Sequence, residues 1–319
     1  MIRRAVSVVV ALLSVCGCVN QPQLESKALT FAILGDNPYD PETYARYERL
    51  IEHVNDDSDL AWVIHVGDFK GGVESCSEEL LQARFDLNQE FTAPFVLTPG
   101  DNDWYDCIRE GAGAFNDYER LERLRKIFYP AAGAAAVPGG RSQAENPEFA
   151  EVVENVIWHA EGVTFATLHM LGPTRPTTDQ QAASRDVAAA TAWLKTVFAE
   201  AADRSAQGVF IATQVDPWLF SGNRELADDF CPACVAPRTG IEWFYPLMTD
   251  LVQAFGKPVV LAVGDTHVFR VDKPLYHEGR LVENFTRLEV FGYPDVHWVK
   301  VSVDSKSPNV FTFEQRLVP

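Results

Sequence analysis

The chain has 319 residues, 47% of them hydrophobic, a mean hydropathy of −0.09 and a formal charge of −18. Such a length and apolar fraction suit a globular protein with a substantial core, built as one large α/β domain or two small ones. The acidic balance, with a pI near 4.8, argues against nucleic acid or an anionic membrane surface as the main partner.

Arg3 and Arg4 precede an apolar run, Ala5 to Val15, too short to span a bilayer as a helix and laid out like a secretory signal. The run ends Leu13-Ser14-Val15-Cys16-Gly17-Cys18. This resembles a bacterial lipoprotein signal, in which a small residue precedes the cysteine that takes the lipid. Gly17-Cys18 fits, whereas valine before Cys16 is too bulky for the cleavage position. Residues 1–18 are therefore expected to be a signal with Cys18 lipidated, residues 19–28 a polar tether, and residues 29–319 a single domain. The protein is then expected to be exported and lipid-anchored to the envelope, at the outer membrane or facing the periplasm in a Gram-negative cell. The lipid would be its only contact with the membrane.

Thr30 to Leu34 reads as the first strand. Pro41 to Val54 opens with proline and carries Tyr44, Tyr47, Leu50, Ile51 and Val54 at helical spacing. Leu60 to Val66 is a second strand. Ser77 to Phe91 is a helix opened by a capping serine with acids in its first turn. Ala93 to Leu97 is a third strand, and Asn116 to Phe128 an amphipathic helix. Ala131 to Asn146, rich in Ala, Gly and Pro, reads as a surface loop. Val152 to Trp158 and Val163 to Met170 flank Glu161-Gly162 as a hairpin. A long Ala-rich helix over Asp179 to Asp203, a strand over Val209 to Thr213 and a helix over Trp243 to Ala254 follow. Val259 to Val263 is a further strand, and others are expected near Val268 to Val271, Phe285 to Val290, His297 to Val303 and Val310 to Phe313. The early β-α-β units imply parallel strands with right-handed crossovers, and the later hairpins imply antiparallel edges.

Export admits disulfides. Four cysteines follow the signal, Cys76, Cys107, Cys231 and Cys234, which allow three pairings. Cys231-Pro232-Ala233-Cys234 has the form of a redox pair or half a zinc site. No second pair completes the zinc ligands, and no thioredoxin-like strand precedes it, so a local bridge is expected. Cys76 and Cys107 lie just beyond the second and third strand tips and are expected to bond if those strands are neighbours.

Four times a hydrophobic strand stops at Gly-Asp: Gly35-Asp36, Gly67-Asp68, Gly100-Asp101 and Gly264-Asp265. In open α/β sheets, ligands bind beyond the carboxyl ends of the strands, where all four tips and Gln214 fall. The set Asp36, Asp68, Asp101, Gln214, Asp265 and His267 resembles that of the calcineurin-like metallophosphoesterases over nearly all of the mature chain. That resemblance implies a four-layer α-β-β-α sandwich with two metals at its site, Asp36 as a ligand of the first and Asp68 as the bridge. Gly100 to Asp103 occupies the place of Gly-Asn-His-Asp, and Gly264 to His267 that of Gly-His-x-His. The departures are several: Pro38 stands where the first histidine ligand belongs, Asp101 replaces an asparagine ligand, Gln214 a lone histidine and Asp265 the first histidine of the last motif. Asn102 replaces the histidine that protonates the leaving group, and Asp103 retains the supporting acid beyond the metals.

These changes have a direction. Four carboxylates facing two divalent ions leave the centre roughly neutral, so it holds an anionic substrate less strongly. Oxygen in place of imidazole favours Mg or Mn over Zn, with Ca also accommodated. An asparagine cannot act as the acid, which costs a poor leaving group about 10²–10⁴-fold. Without a cation, converging aspartates would share protons or splay apart. The resulting expectation is a metal-dependent hydrolase of a small-molecule phosphoester, with metal-bound water as nucleophile. The alternative is a catalytically impaired pseudoenzyme that binds an unknown ligand at the envelope.

Other residues carry a structural reading beside a functional one. His169 ends a strand and could replace a missing imidazole. Asn37 and Asp40 could compensate for Pro38, though both suit a turn and helix entry. His65 reads as a core histidine. Trp104, Tyr105 and Trp218 could wall a pocket or pack, and His53, His159, His277 and His297 have no distinguishing context.

Overall fold

A computed structural model of the chain describes residues 28–129, 137–172, 177–218 and 240–319. Cys18 and the Cys231/Cys234 pair lie outside them.

In chain order the elements are β1 (Leu29–Leu34), α1 (Pro41–Asn55), β2 (Leu60–His65), α2 (Glu78–Asn88), β3 (Phe95–Leu97), α3 (Asp117–Phe128), β4 (Arg141–Ser142), β5 (Val156–Ala160), β6 (Val163–Thr167), α4 (Gln180–Asp203), β7 (Gly208–Ala212), α5 (Phe244–Phe255), β8 (Val259–Val263), β9 (Arg270–Asp272), β10 (Tyr276–His277), β11 (Arg280–Leu281), β12 (Phe285–Glu289), β13 (Trp298–Val303) and β14 (Phe311–Arg316). The helices begin where their capping residues dictate. Asp40 Oδ1 accepts from the Thr43 amide before Pro41, Ser77 Oγ from Leu80, Asn116 Oδ1 from Glu119, and Asp179 Oδ1 from Gln181 and Ala182. The β5–β6 hairpin turns at Glu161 and Gly162, both with positive φ, as the sequence predicts.

One sheet has the order β14-β13-β1-β2-β3, the other β4-β5-β6-β7-β8-β12-β9. Strands β1, β2 and β3 run parallel, as do β6, β7, β8 and β12, while β13, β14, β4, β5 and β9 add antiparallel edges. Alternation along each strand makes the layers. Phe31, Ile33 and Ile64 of one sheet meet Phe165, Phe210 and Val260 of the other in a shared interior. Ala32, Leu34 and Val63 face outward onto Tyr47, Leu50 and Ile51 of α1. Val209, Ile211 and Leu261 face Trp193, Leu194 and Val197 of α4 and Met248 and Val252 of α5. The result is the expected four-layer α-β-β-α arrangement.

Three corrections concern detail. The segment read as loop up to Asn146 contains β4 and a short helical turn at Gln143–Glu145, and a second turn follows it at Pro147–Phe149. β9 starts at Arg270, because residues 264–269 form the site loop. The exposed β10–β11 hairpin carries too little apolar alternation to be legible.

Candidate functional site

Asp36, Asp68 and Asp101 follow β1, β2 and β3, adjacent parallel strands of one sheet, and Asp265 follows β8 of the other. Backbone bonds register the tips. The Asp36 amide donates to Gly67 O (3.0 Å) and that of Gly264 to Gln214 O (2.9 Å), while Asp36 Oδ1 accepts from the Asp265 amide across the sheets (3.0 Å). Asp36, Asp68, Asp265 and His267 all have positive φ, a conformation costly for residues with a Cβ and concentrated at functional sites. At two glycines a Cβ is excluded by the carboxylates themselves: it would lie 2.0 Å from Asp68 Oδ1 at Gly100, and 2.0 Å from Asp36 Oδ2 at Gly264.

The side chains form a ring. Gln214 Nε2 donates to Asp68 Oδ2 (3.2 Å). The Tyr39 hydroxyl lies 3.2 Å from Asp68 Oδ2 and 3.3 Å from His267 Nε2, and His267 Nε2 lies 3.7 Å from Asp36 Oδ1. Asn102 stands beside the ring, its amide donating to Asp68 Oδ1 (3.0 Å) and its Nδ2 to the Tyr39 hydroxyl (3.2 Å). Asp103 is used differently. Its two oxygens accept from the amides of Asp68, Phe69 and Gly100 at 2.8–2.9 Å, so it ties the β2 and β3 tips together through the main chain.

Burial raises Asp36 and Asp68 well above the usual carboxylate range, Asp36 further through the charges of Asp265 and Glu289, Asp68 through those of Asp101, Asp103, Asp36 and Asp265. Burial likewise lifts Asp103 to about 7, against the pull of its backbone donors and of buried Lys70. Tyr39 is pushed well up by burial and by Asp68 and Asp36, so it keeps its proton. His267 is held down by burial and stays neutral.

A divalent cation fits this donor set. Among the described residues, Asp36 Oδ2 is a buried acceptor without a hydrogen-bond partner, as an oxygen waiting for a cation would be. His267 Nδ1 donates to Tyr293 O (2.8 Å), which leaves the Nε2 lone pair facing the ring. Among the described residues no three His, Cys, Asp or Glu side chains close on their own into a metal cage; Gln214 and Tyr39 lie between them. The opposite amide orientation of Gln214 would exchange Nε2 for Oε1 and so present a hard oxygen ligand to the carboxylate side. Asp36, Asp68, Gln214 and His267 would thus hold one hard ion, with Asp101 and Asp265 near enough to act on it through their charge.

Sequence reasoning missed Tyr39, which carries no family motif. It also missed the clamp beneath His267, where buried Glu289 accepts from Thr266 Oγ1, Arg270 Nε and the Val268 amide (3.0 Å). Fully buried Arg287 continues the network to Asp216 (2.7 Å) and Asp272 (2.5 Å). Alternating charges on β12 were the available signal. The secondary readings resolve as structure. His65 accepts from the Gly67 amide (3.1 Å) and approaches Asn37 O (3.3 Å), Asp40 caps α1, and Trp104 and Trp218 are buried. Cys76 and Cys107 are bonded, joining the loops after β2 and β3.

The model of the calcineurin-like phosphoesterase family matches residues 29–269. Among solved structures, the chain is similar to the purple acid phosphatase PPD1 of yellow lupin (Lupinus luteus) seeds, with a TM-score of 0.51 and 13% identity over 91% of this chain and 54% of that one. It is also similar to PhoD, with a TM-score of 0.50 and 13% identity over 87% of this chain and 64% of that one. The chain therefore spans about half of the first and under two thirds of the second, and at these identities the likeness is one of fold. A search of curated proteins finds no match.

Proposed function

The chain belongs to the calcineurin-like phosphoesterase family, and from that premise we propose that it is a divergent, metal-dependent hydrolase of a small-molecule phosphoester. The observation that carries this reading is the pair of buried carboxylates Asp36 and Asp68, ringed by Gln214 and His267, with Asp36 Oδ2 lacking a hydrogen-bond partner among the described residues. The family's hydrolases use divalent ions. The oxygen-rich ligands here favour Mg or Mn over Zn and admit Ca. When bound, the cation supplies Lewis acidity toward a phosphoryl oxygen and an acidified water.

The chain's own residues set the rest. Asp103 fixes the Asp68 main chain, and Glu289 fixes the loop that presents His267. Asn102 Nδ2 can donate a hydrogen bond but no proton, so esters with good leaving groups are the favoured substrates. Export with a lipid at Cys18 goes with this reading as a proposal of its own, supported by the Cys76–Cys107 bond, which belongs to an oxidising compartment.

Full-length protein should hydrolyse nitrophenyl phosphate mono- or diesters with Mg²⁺ or Mn²⁺, and Asp68→Asn should abolish this. Inactivity across a broad ester panel, or an unaffected Asp68→Asn variant, sinks the reading. One observation favours a second, a ligand-binding pseudoenzyme: Asn102 spends its Nδ2 on Tyr39, with no acid in its place. Purified protein with no metal and the same stability as Asp68→Asn would support that second reading.

A further inference from the structure

The chain leaving β2 runs Asp68-Phe69-Lys70-Gly71-Gly72. A Cβ on Gly72 would lie 2.5 Å from Arg109 Nη1 and 2.6 Å from Asn102 Oδ1. The guanidinium and the carboxamide therefore flank one point, where only a residue without a side chain fits. Asn102 is itself seated on the ring, its amide on Asp68 Oδ1 (3.0 Å) and its Nδ2 on the Tyr39 hydroxyl (3.2 Å). Arg109 thus stands at the Asn102 edge of the ring. It is held there by an ion pair from Nη2 to Asp106 Oδ2 (2.5 Å) and a bond from Nη1 to Gly72 O (3.4 Å). The main chain beneath it is tied down as well. The Arg109 amide donates to Asp106 O (3.0 Å), that of Asp106 to Asp101 O (2.9 Å), and Cys107 between them is bonded to Cys76. A guanidinium carries five N–H donors in a planar fork, more than these side-chain contacts take up, and the Arg109 side chain is 42% exposed.

Charge gives that exposure a use. One divalent ion among the carboxylates of Asp36, Asp68, Asp101 and Asp265 leaves the ring negative, which repels a phosphoryl group. Two neighbouring cations are spent inside the fold: Lys70 is fully buried with its Nζ on Gly71 O (2.9 Å), and Arg270 is bound to Glu289.

We propose that Arg109 is a substrate-binding residue whose guanidinium takes non-bridging phosphoryl oxygens, and that it selects phosphate monoesters over diesters. The inference rests on the hydrolase reading and names the substrate class of that same site. A monoester at neutral pH is largely a dianion with three non-bridging oxygens, enough for a cation in the ring and for a two-pronged bond from Arg109. A diester offers two such oxygens and a single charge, so it gains less from the guanidinium. Asp106 aims the fork, and the Cys76–Cys107 bond fixes the turn that carries it.

Calorimetry with inorganic phosphate and steady-state kinetics, both on the full-length protein, test this. With Mg²⁺ present, Arg109→Gln should weaken phosphate binding by about 10–100-fold, the loss expected for hydrogen bonds between charged groups. Arg109→Lys, which keeps the charge but not the fork, should lose less. Mg²⁺ binding measured without phosphate should be no weaker in either variant, which shows the ring intact. Arg109→Gln should also raise KM for nitrophenyl phosphate, and raise that for bis(nitrophenyl) phosphate several-fold less. Wild type that binds no phosphate, phosphate binding that survives Arg109→Gln, or equal rises in KM for the two esters overturns the proposal and leaves the hydrolase reading standing. Arg109-dependent phosphate binding by a protein that hydrolyses no ester overturns the hydrolase reading and keeps the subsite.

Discussion

The Tyr39 hydroxyl and the Asp68 carboxylate are 3.2 Å apart, and the same hydroxyl reaches His267 and takes a bond from Asn102. A neutral donor thus occupies one side of a carboxylate proposed to hold the metal. Tyr39 is held by its own amide on Thr43 Oγ1 (3.0 Å) and by stacking on Tyr293 at 5.4 Å, so its placement does not depend on the bond to Asp68.

A cation binding at Asp68 must compete with that donor. A hydrogen bond to a charged group contributes about 1.5 kcal/mol or more. Tyr39→Phe should therefore tighten Mg²⁺ or Mn²⁺ binding by about tenfold. Isothermal titration of wild type and variant checks this, and weaker binding in the variant would mean that the phenol helps to hold the ion.

Gly264→Ala places a Cβ 2.0 Å from Asp36 Oδ2, so the carboxylate must turn away from the ring. Saturating divalent ion, which should stabilise wild type by about 2.7 kcal/mol at a hundred times its Kd, should then raise the melting temperature of the variant little or not at all. Retention of the full increment would place the ion elsewhere.

His65 supplies a pH dependence. Burial pushes it from 6.5 down to about 4. The unfolded chain therefore takes up a proton on that imidazole between those values while the folded one does not. Its stabilising effect is complete above pH 6.5 and is lost as pH falls toward 4, an integral of roughly 3 kcal/mol. Protonation would also displace the Gly67 amide from Nδ1. His65→Gln should have a flatter stability profile across that window, as measured by urea unfolding at pH 7.5 and pH 5. Parallel slopes would refute the assignment.

The Cys76–Cys107 bond closes a separation of 31 residues and is fully buried. Constraint of the unfolded chain over such a loop is worth about 3–4 kcal/mol. Replacing both cysteines with serine should lower unfolding free energy by that order. It should also loosen the loops that carry Asp68 and Asp101, seen as faster amide exchange at residues 68–76 and 101–107.

The sequence by itself determined the layers and the place of the site. Each strand that alternates apolar residues and stops at Gly-Asp has one solution in a parallel sheet, which is to deliver its carboxylate at the common end. Ser77, Asn116, Asp179 and Pro41 marked the helix starts because capping is local chemistry. The Cys76–Cys107 pairing was legible only on the condition that the second and third strands are neighbours, which the sheet order meets. Only the tertiary structure decided what surrounds those carboxylates. Tyr39 comes from the loop into α1 and Glu289 from β12, and no spacing in the chain encodes their convergence on Gln214 and His267, which the motif resemblance had already placed at the site. His169 was ambiguous in sequence because its partner is Glu154, fifteen residues earlier on a neighbouring segment, which holds one ring nitrogen. Local pattern fixes which residues can reach the end of a sheet; packing between the two sheets fixes which of them touch.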